Sequence, residues 1–279
     1  MQKGRSTAAR ARRGVAAADL EALRGDRQMV TALARGLSIL RSFGAGDHWL
    51  GNQEMAERTG LAKPTVARLS HTLTRLGYLR YSESLKKYGL GTSVLGLGYA
   101  ALGQMDVRRI ARPLMQALAE HTHVCVNLGV NDHLSMVYID RYANASSYTV
   151  QLDVGSRVPV ANTSIGRAYL CALADRERQP LLDELRAAHA DDWSRIKKGV
   201  EQAQRDLSEH GYCMALGDWR AEVHAIATPL VVGDGAAPIV FSCSGPSFVL
   251  TPEAVRQEIG PRLVALVGNV RYALSTQST

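Results

Sequence analysis

No stretch of the 279 residues approaches the roughly 20 consecutive apolar positions that a membrane-spanning helix requires, so no membrane partner is expected. Cysteine is equally sparse. Cys125, Cys171, Cys213 and Cys243 are scattered, with no CxxC pair and no metal-finger spacing. That pattern argues against a disulfide scaffold and suits a reducing, cytoplasmic setting. Catalytic signatures are missing too: there is no GxSxG elbow, no GxxxxGK[ST] loop and no GxGxxG turn. Ser194 and Lys197 fit an SxxK spacing, but no SDN or KTG accompanies them, which leaves a solvated helix face. His121 and His123 have no third metal ligand nearby in sequence. No catalytic residue, metal or cofactor is expected, and the chain does not read as an enzyme.

Acid is short in one half only. Residues 1–110 hold 18 Lys/Arg against 8 Asp/Glu, and residues 111–279 hold 15 against 18, so a charge of +10 is followed by −3. A basic module joined to a near-neutral one fits a nucleic-acid binder with a second function behind it, although a solvated basic face would look similar. At this length two domains are expected, with the larger able to bury a sizeable core. Residues 1–28 read as a disordered basic tail; Asp19, Glu21 and Asp26 argue against an acid-poor transit peptide.

From Thr31 the pattern is helical. Leu33, Leu37 and Leu40 form a stripe that Phe43 extends, until Gly44-Ala45-Gly46 breaks it. A short helix follows, with Asn52 expected as N-cap, Glu54 in its first turn and Gly60 just past its end. After a brief turn Pro64 is expected at the first position of a third helix, with Val66, Leu69, Leu73 and Leu76 on its core face and Gly77 at its end. Short helix, tight turn and helix make a helix-turn-helix, whose second member places its N-terminal residues in the major groove. Its outer face carries Lys63, Thr65, Arg68, Thr72 and Arg75, which can donate to phosphates and base edges. Two short strands around Ser82–Lys87 read as a wing whose tip presents Lys86 and Lys87.

These residues carry a resemblance. A-L-A-R-G-L-S-I-L, E-M-A-E-R-T-G-L-A-K-P-T-V-A-R-L, L-G-Y-L and Y-G-L-G-T-S-V-L-G-L-G are similar to the DNA-binding region of the IclR family of bacterial transcriptional regulators. The family commonly has serine where Pro64 stands and a bulkier residue at Ala67, a change that bears on which base is read. The resemblance implies that the apolar stretch 92–105 is a linker helix that helps pair the DNA-binding units. Without the resemblance it is an ordinary amphipathic helix, and either way it is expected to be buried.

The remainder reads as helix to His121, then strands with a turn at Asn131-Asp132, and a third alternating run at Tyr148, Val150 and Leu152. Helices are expected from Thr163, over about 175–189, and over 193–210. Strands at 225–232 and 238–244 follow, and Thr251-Pro252-Glu253 opens a closing helix. V-P-V-A-N-T-S-I-G-R-A, A-I-A-T-P-L and S-C-S-G-P resemble the effector-binding domain of the same family. The fold class is thus α/β of the α+β kind: a winged helix-turn-helix (29–91), a linker helix (92–105), and a GAF-like antiparallel sheet domain with flanking helices (106–275). Amides at a helix N-terminus around Ser164 and Ile165 suit a carboxylate, and Ser242 and Ser244 share a strand face. The resemblance assigns Val158, Ser164, Ile165, Ser242 and Ser244 to the effector pocket; without it they are a helix cap and strand residues. Ala215 and Ala225 stand where relatives that bind small 2-oxo acids often have polar side chains, which points to a less polar, aromatic or longer aliphatic acid.

The expected protein is a ligand-responsive regulator of a catabolic operon. It would act as a homodimer or a dimer of dimers on a pseudo-palindromic operator. A C-terminal enzyme or a pure dimerisation module are the competing readings.

Overall fold

The computed structural model describes residues 28–44, 46–143, 152–233 and 235–277. The basic tail up to residue 27 and the alternating run at Tyr148 and Val150 lie outside the described residues. The chain divides into two compact units, one ending at Gly103 and the other beginning at Gln104.

The first unit runs α1 (Thr31–Arg41), α2 (Asn52–Thr59), α3 (Lys63–Arg75), β1 (Leu79–Ser82), β2 (Lys87–Leu90) and α4 (Ser93–Gly103). Its small core is Ile39, Leu50, Met55, Val66 and Leu79, with Leu40, Phe43, Leu69, Leu73 and Tyr88 packed around it. The expected stripe is out of phase with this core. Leu33 and Leu37 are exposed, because α1 turns its Gly36/Ile39 side toward its neighbours. Leu76 is also exposed, and Ser70 takes the buried place on α3.

Two helix starts differ by one residue from expectation. Gly51, not Asn52, caps α2, and its N–H donates to the Glu54 carboxylate at 2.7 Å. Pro64 is the second residue of α3, following Lys63, where its missing N–H still costs no intrahelical bond. Gly60 adopts φ +71° between the two helices, a left-handed conformation that glycine enters without Cβ strain. α4 buries none of its residues within the chain, contrary to the expected packed helix; Leu95, Leu97 and Tyr99 stand in the open.

The second unit opens with α5 (Asp106–Thr122), which leads into β3 (Cys125–Asp132) and β4 (Ser135–Tyr142). The turn between these strands is His133-Leu134, two residues beyond the expected position, with His133 at φ +55°. β5 (Arg157–Pro159) precedes α6 (Ser164–Ala172), α7 (Asp175–Ala188) and α8 (Trp193–His210). β6 (Cys213–Leu216), β7 (Val223–Leu230) and β8 (Ile239–Pro246) follow. The chain closes through α9 (Pro252–Ala254), a π turn at Val255–Ile259 and α10 (Gly260–Gln277).

The six strands form one antiparallel sheet in the order β5-β4-β3-β8-β7-β6. α6 and α8 pack on one face with Met136, Tyr138, Ile165, Ala227 and Val240 between the layers. α5 and α10 contact each other and lie against the sheet strands. β6, absent from the sequence reading, pairs with β7 at the sheet's edge. β4 carries one extra residue relative to β3. Tyr138 lies opposite Gly129 and Asp140 opposite Leu128, so Ile139 has no counterpart in the ladder.

Candidate functional site

Two places in the chain collect the residues that the sequence singled out, one in each unit. In the first, α2, the Gly60 turn and α3 form the helix-turn-helix. Lys63, Arg68, Thr72 and Arg75 are exposed on α3 and Thr65 is half-buried. α3 contains no acidic residue, and none of Lys63, Arg68 and Arg75 forms an ion pair among the described residues. Exposed His71 lies on the same edge, three residues after Arg68 and four before Arg75; the sequence reading passed over it.

Other cations of this unit are committed internally. Arg58 pairs with Asp47 at 2.5 Å and donates to the Ser42 carbonyl at 2.9 Å, tying α2 to the loop before it. Arg80 stacks over the Trp49 ring at 4.6 Å. β1 and β2 form the wing, but its two lysines differ. Lys86 stands in the tip at φ +53° and pairs with exposed Glu83 at 2.9 Å, which raises its pKa. Lys87 is not in the tip. It begins β2 and reaches Glu54 at 3.0 Å, the same carboxylate that accepts the Gly51 amide. The Gly51 hydrogen bond first, then the Lys87 contact, hold the Glu54 carboxyl below its usual range.

In the second unit a cavity of about 560 Å³ opens between the sheet and the N-terminus of α6. Thr163 caps α6: its Oγ1 accepts from the Gly166 amide at 3.2 Å and donates to the Pro159 carbonyl at 2.6 Å. The amides of Ser164 and Ile165, the next orphan donors of the first turn, are left to face the cavity with no partner among the described residues. The Ser164 hydroxyl, on a residue 1% exposed, also has none. α6 reaches this position because Gly166 lies against Val160; a Cβ on Gly166 would fall 2.3 Å from the Val160 carbonyl oxygen.

The facing wall is a polar row across three strands. Arg141, Asn127 and Ser242 are successive cross-strand partners, and Ser244 lies one pleat along. Asn127 donates to Ser244 Oγ at 3.1 Å and to Ser242 Oγ at 3.4 Å, while its buried Oδ1 has no partner. The Arg141 guanidinium donates to Cys125 Sγ at 3.0 Å. Tyr138 is buried beside them, and burial pushes its phenol pKa well above the ordinary value against the opposing pull of Arg141. The rim is the 217–223 segment, which contributes Trp219, Arg220 and Glu222. Buried Arg167, on the helix that forms the floor, holds this segment through Asp218 at 3.1 Å.

Four of the five expected pocket residues meet here: Ser164, Ile165, Ser242 and Ser244. Val158 does not. It is 1% exposed on β5 and packs in the core layer, because the period-two alternation turns it to Met136 opposite. Ala225 lines the cavity, whereas Ala215 sits one strand farther out and does not. Asn127 and Arg141 were missed in sequence, since a lone Asn or Arg in an apolar strand carries no spacing signal until the register is known. Among the described residues no group of three potential metal ligands occurs, and no helix is long and apolar enough to cross a membrane.

Residues 32–83 match the IclR helix-turn-helix domain, and residues 99–271 match the bacterial transcriptional regulator IclR C-terminal domain. The chain is 33% identical over 245 residues to the HTH-type transcriptional regulator TsaQ1/TsaQ2 of Comamonas testosteroni, covering 87% of this chain and 88% of that protein. A crystal structure of an IclR family transcriptional regulator from Brucella abortus is 44% identical, with a TM-score of 0.82 over 90% of this chain and 94% of its own. The fold is shared as well by an IclR homolog from Microbacterium hydrocarbonoxydans, crystallised with 4-hydroxybenzoate, at 21% identity and a TM-score of 0.67 over 88% of this chain and 99% of that one. The chain belongs to the IclR family of bacterial transcriptional regulators and is a ligand-responsive, DNA-binding protein of that family.

Proposed function

We propose that α3 reads a pseudo-palindromic operator through Lys63, Thr65, Arg68, Thr72 and Arg75, with the wing against the backbone. In this reading the cavity of the second unit takes a small aromatic acid and thereby sets expression of a catabolic operon. The acid's carboxylate is received by the Ser164 and Ile165 amides and the Ser164 hydroxyl, and its remaining polar groups by Ser242, Ser244 and Asn127.

The observation that carries the effector reading is the buried, unpartnered Ser164 hydroxyl beside two helix-start amides without partners among the described residues, at the inner end of the cavity. Orphaned buried donors cost free energy that a bound oxyanion would recover. Tyr138, Trp219, Phe248 and Ile165 supply flat apolar walls for a ring. The 4-hydroxybenzoate bound by the Microbacterium hydrocarbonoxydans homologue supports the same ligand class. The chain acts as a dimer or a dimer of dimers, a reading supported by the uncovered apolar side chains of α1 and α4.

Calorimetric titration with benzoate and 4-hydroxybenzoate tests the effector reading. Saturable binding is expected, and Ser164→Ala should weaken it by about 1 kcal/mol without lowering the unliganded melting temperature. A Ser164→Ala protein that binds these acids as tightly as before would remove the Ser164 hydroxyl from the site.

A further inference from the structure

The extra residue in β4 decides which charge faces the cavity. In an unbulged strand side chains alternate, so Tyr138 would share its face with Asp140. Ile139 shifts the phase by one, and the outcome is reversed. Asp140 turns to the α5 side of the sheet, where Arg108 meets it at 3.2 Å, and Tyr142 follows it to contact Arg112 at 2.6 Å. Arg141 turns to the cavity side, level with Asn127 and beside Cys125. The bulge thus replaces a carboxylate with a guanidinium on the ligand wall.

Arg141 belongs to a different part of the wall from the start of α6. Ile165 lies over Gly129, where an added Cβ would meet Ile165 Cδ1 at 2.7 Å. Arg141 is level with Asn127, two residues farther along β3, or roughly 7 Å at the usual strand rise. The guanidinium is largely enclosed, with 15% of its side chain exposed, and Asp153, at 3.7 Å, is itself 91% exposed. The other charged side chains lining the cavity are Arg220, stacked over the Trp219 ring at 4.5 Å, and Glu222, both exposed at the rim.

Building on the acid-sensing reading above, we infer that the effector carries two oxyanions, one at each end. The first lies at the Ser164/Ile165 helix start. The second, a carboxylate or sulfonate, lies on Arg141 with Asn127 and Ser244 beside it. Arg141 is then the residue that sets specificity between dianionic and monoanionic aromatic acids, since its planar fork of donors matches an oxyanion in two contacts.

The test is calorimetry on the full chain with benzoate, 4-hydroxybenzoate, benzene-1,4-dicarboxylate and 4-sulfobenzoate. The dicarboxylate or the sulfobenzoate should bind about 10- to 100-fold more tightly than benzoate, the range of one charge-assisted contact. The tighter of the two identifies the second oxyanion. In Arg141→Gln that advantage should vanish, so that the dianions bind no more tightly than benzoate to the same variant. Arg141→Lys, which keeps the charge but loses the fork, should retain part of it. Equal binding of mono- and dianions by the native chain overturns the inference and leaves acid sensing intact, as does a preference that survives in Arg141→Gln. Failure of all four acids to bind removes the acid-sensing reading itself. If Arg141→Gln does not fold, equal binding by the native chain still overturns the inference, and an undiminished preference in Arg141→Lys counts against the fork.

Discussion

Arg58 and Arg68 are ten residues apart on consecutive helices, yet their surroundings give them opposite expected roles. Arg58 is locked to Asp47 and the Ser42 carbonyl, whereas Arg68 projects from a helix with no acidic residue. Arg68→Ala should therefore cost operator binding roughly 1–3 kcal/mol and relax preference at one base pair, with little change in melting temperature. Arg58→Ala should lower the melting temperature instead. Fluorescence anisotropy on a set of single-base operator variants, beside thermal melts, separates the two; unchanged affinity and preference in Arg68→Ala would displace α3 from the groove.

Glu54 supplies a pH dependence at the same scale. Its pKa is lowered in the fold by the Gly51 amide and then by Lys87, so folding favours the ionised form. The sign follows by linkage: the contribution is complete above the unfolded carboxyl pKa of about 4.3 and disappears as pH falls through the lower folded value. The native chain should lose stability over that acid range more steeply than Glu54→Gln. Parallel acid-unfolding curves would count against the capping role.

At the scale of elements, the decisive contacts are made by the backbone as often as by side chains. α6 can present its first turn to the cavity because Gly166 admits the Val160 carbonyl. Gly166→Ala should force that helix away at a cost of roughly 1–3 kcal/mol, the usual range for overpacking. Ligand binding should fall with it, and a Gly166→Ala protein with native melting temperature and native affinity would contradict this packing. The wing makes a related point. Two lysines adjacent in sequence looked equivalent, but the hairpin register puts one in the tip and gives the other to Glu54 on α2. The helix-turn-helix itself was legible because its signals are local: Gly60, the proline at the start of α3 and the cationic outer face. Arg141 was not, because a one-residue bulge reverses which of two neighbours points inward, and the bulge shows only in the register of β4 against β3, which residue spacing alone does not give.

At the scale of the whole molecule, the two units keep their own cores, and α4 brings a set of apolar side chains that no described residue buries. An apolar helix that stays exposed in one copy fits contact between copies. Replacing Leu97 by Glu should shift the mass measured by light scattering toward the monomer and reduce binding to a two-half-site operator far more than to a single half-site. An unchanged mass would place the subunit contact elsewhere.

The sequence alone determined the two-part organisation, the helix-turn-helix, the order of most elements and the helix start at the cavity. All of these depend on composition, capping chemistry or short-range periodicity. Tertiary structure decided which leucines of α1 are core, that Val158 is packing rather than pocket, that Lys87 serves Glu54, and that Asn127 and Arg141 complete the cavity wall. Those outcomes depend on helix phase and strand register, which are fixed by contacts between segments distant in the chain.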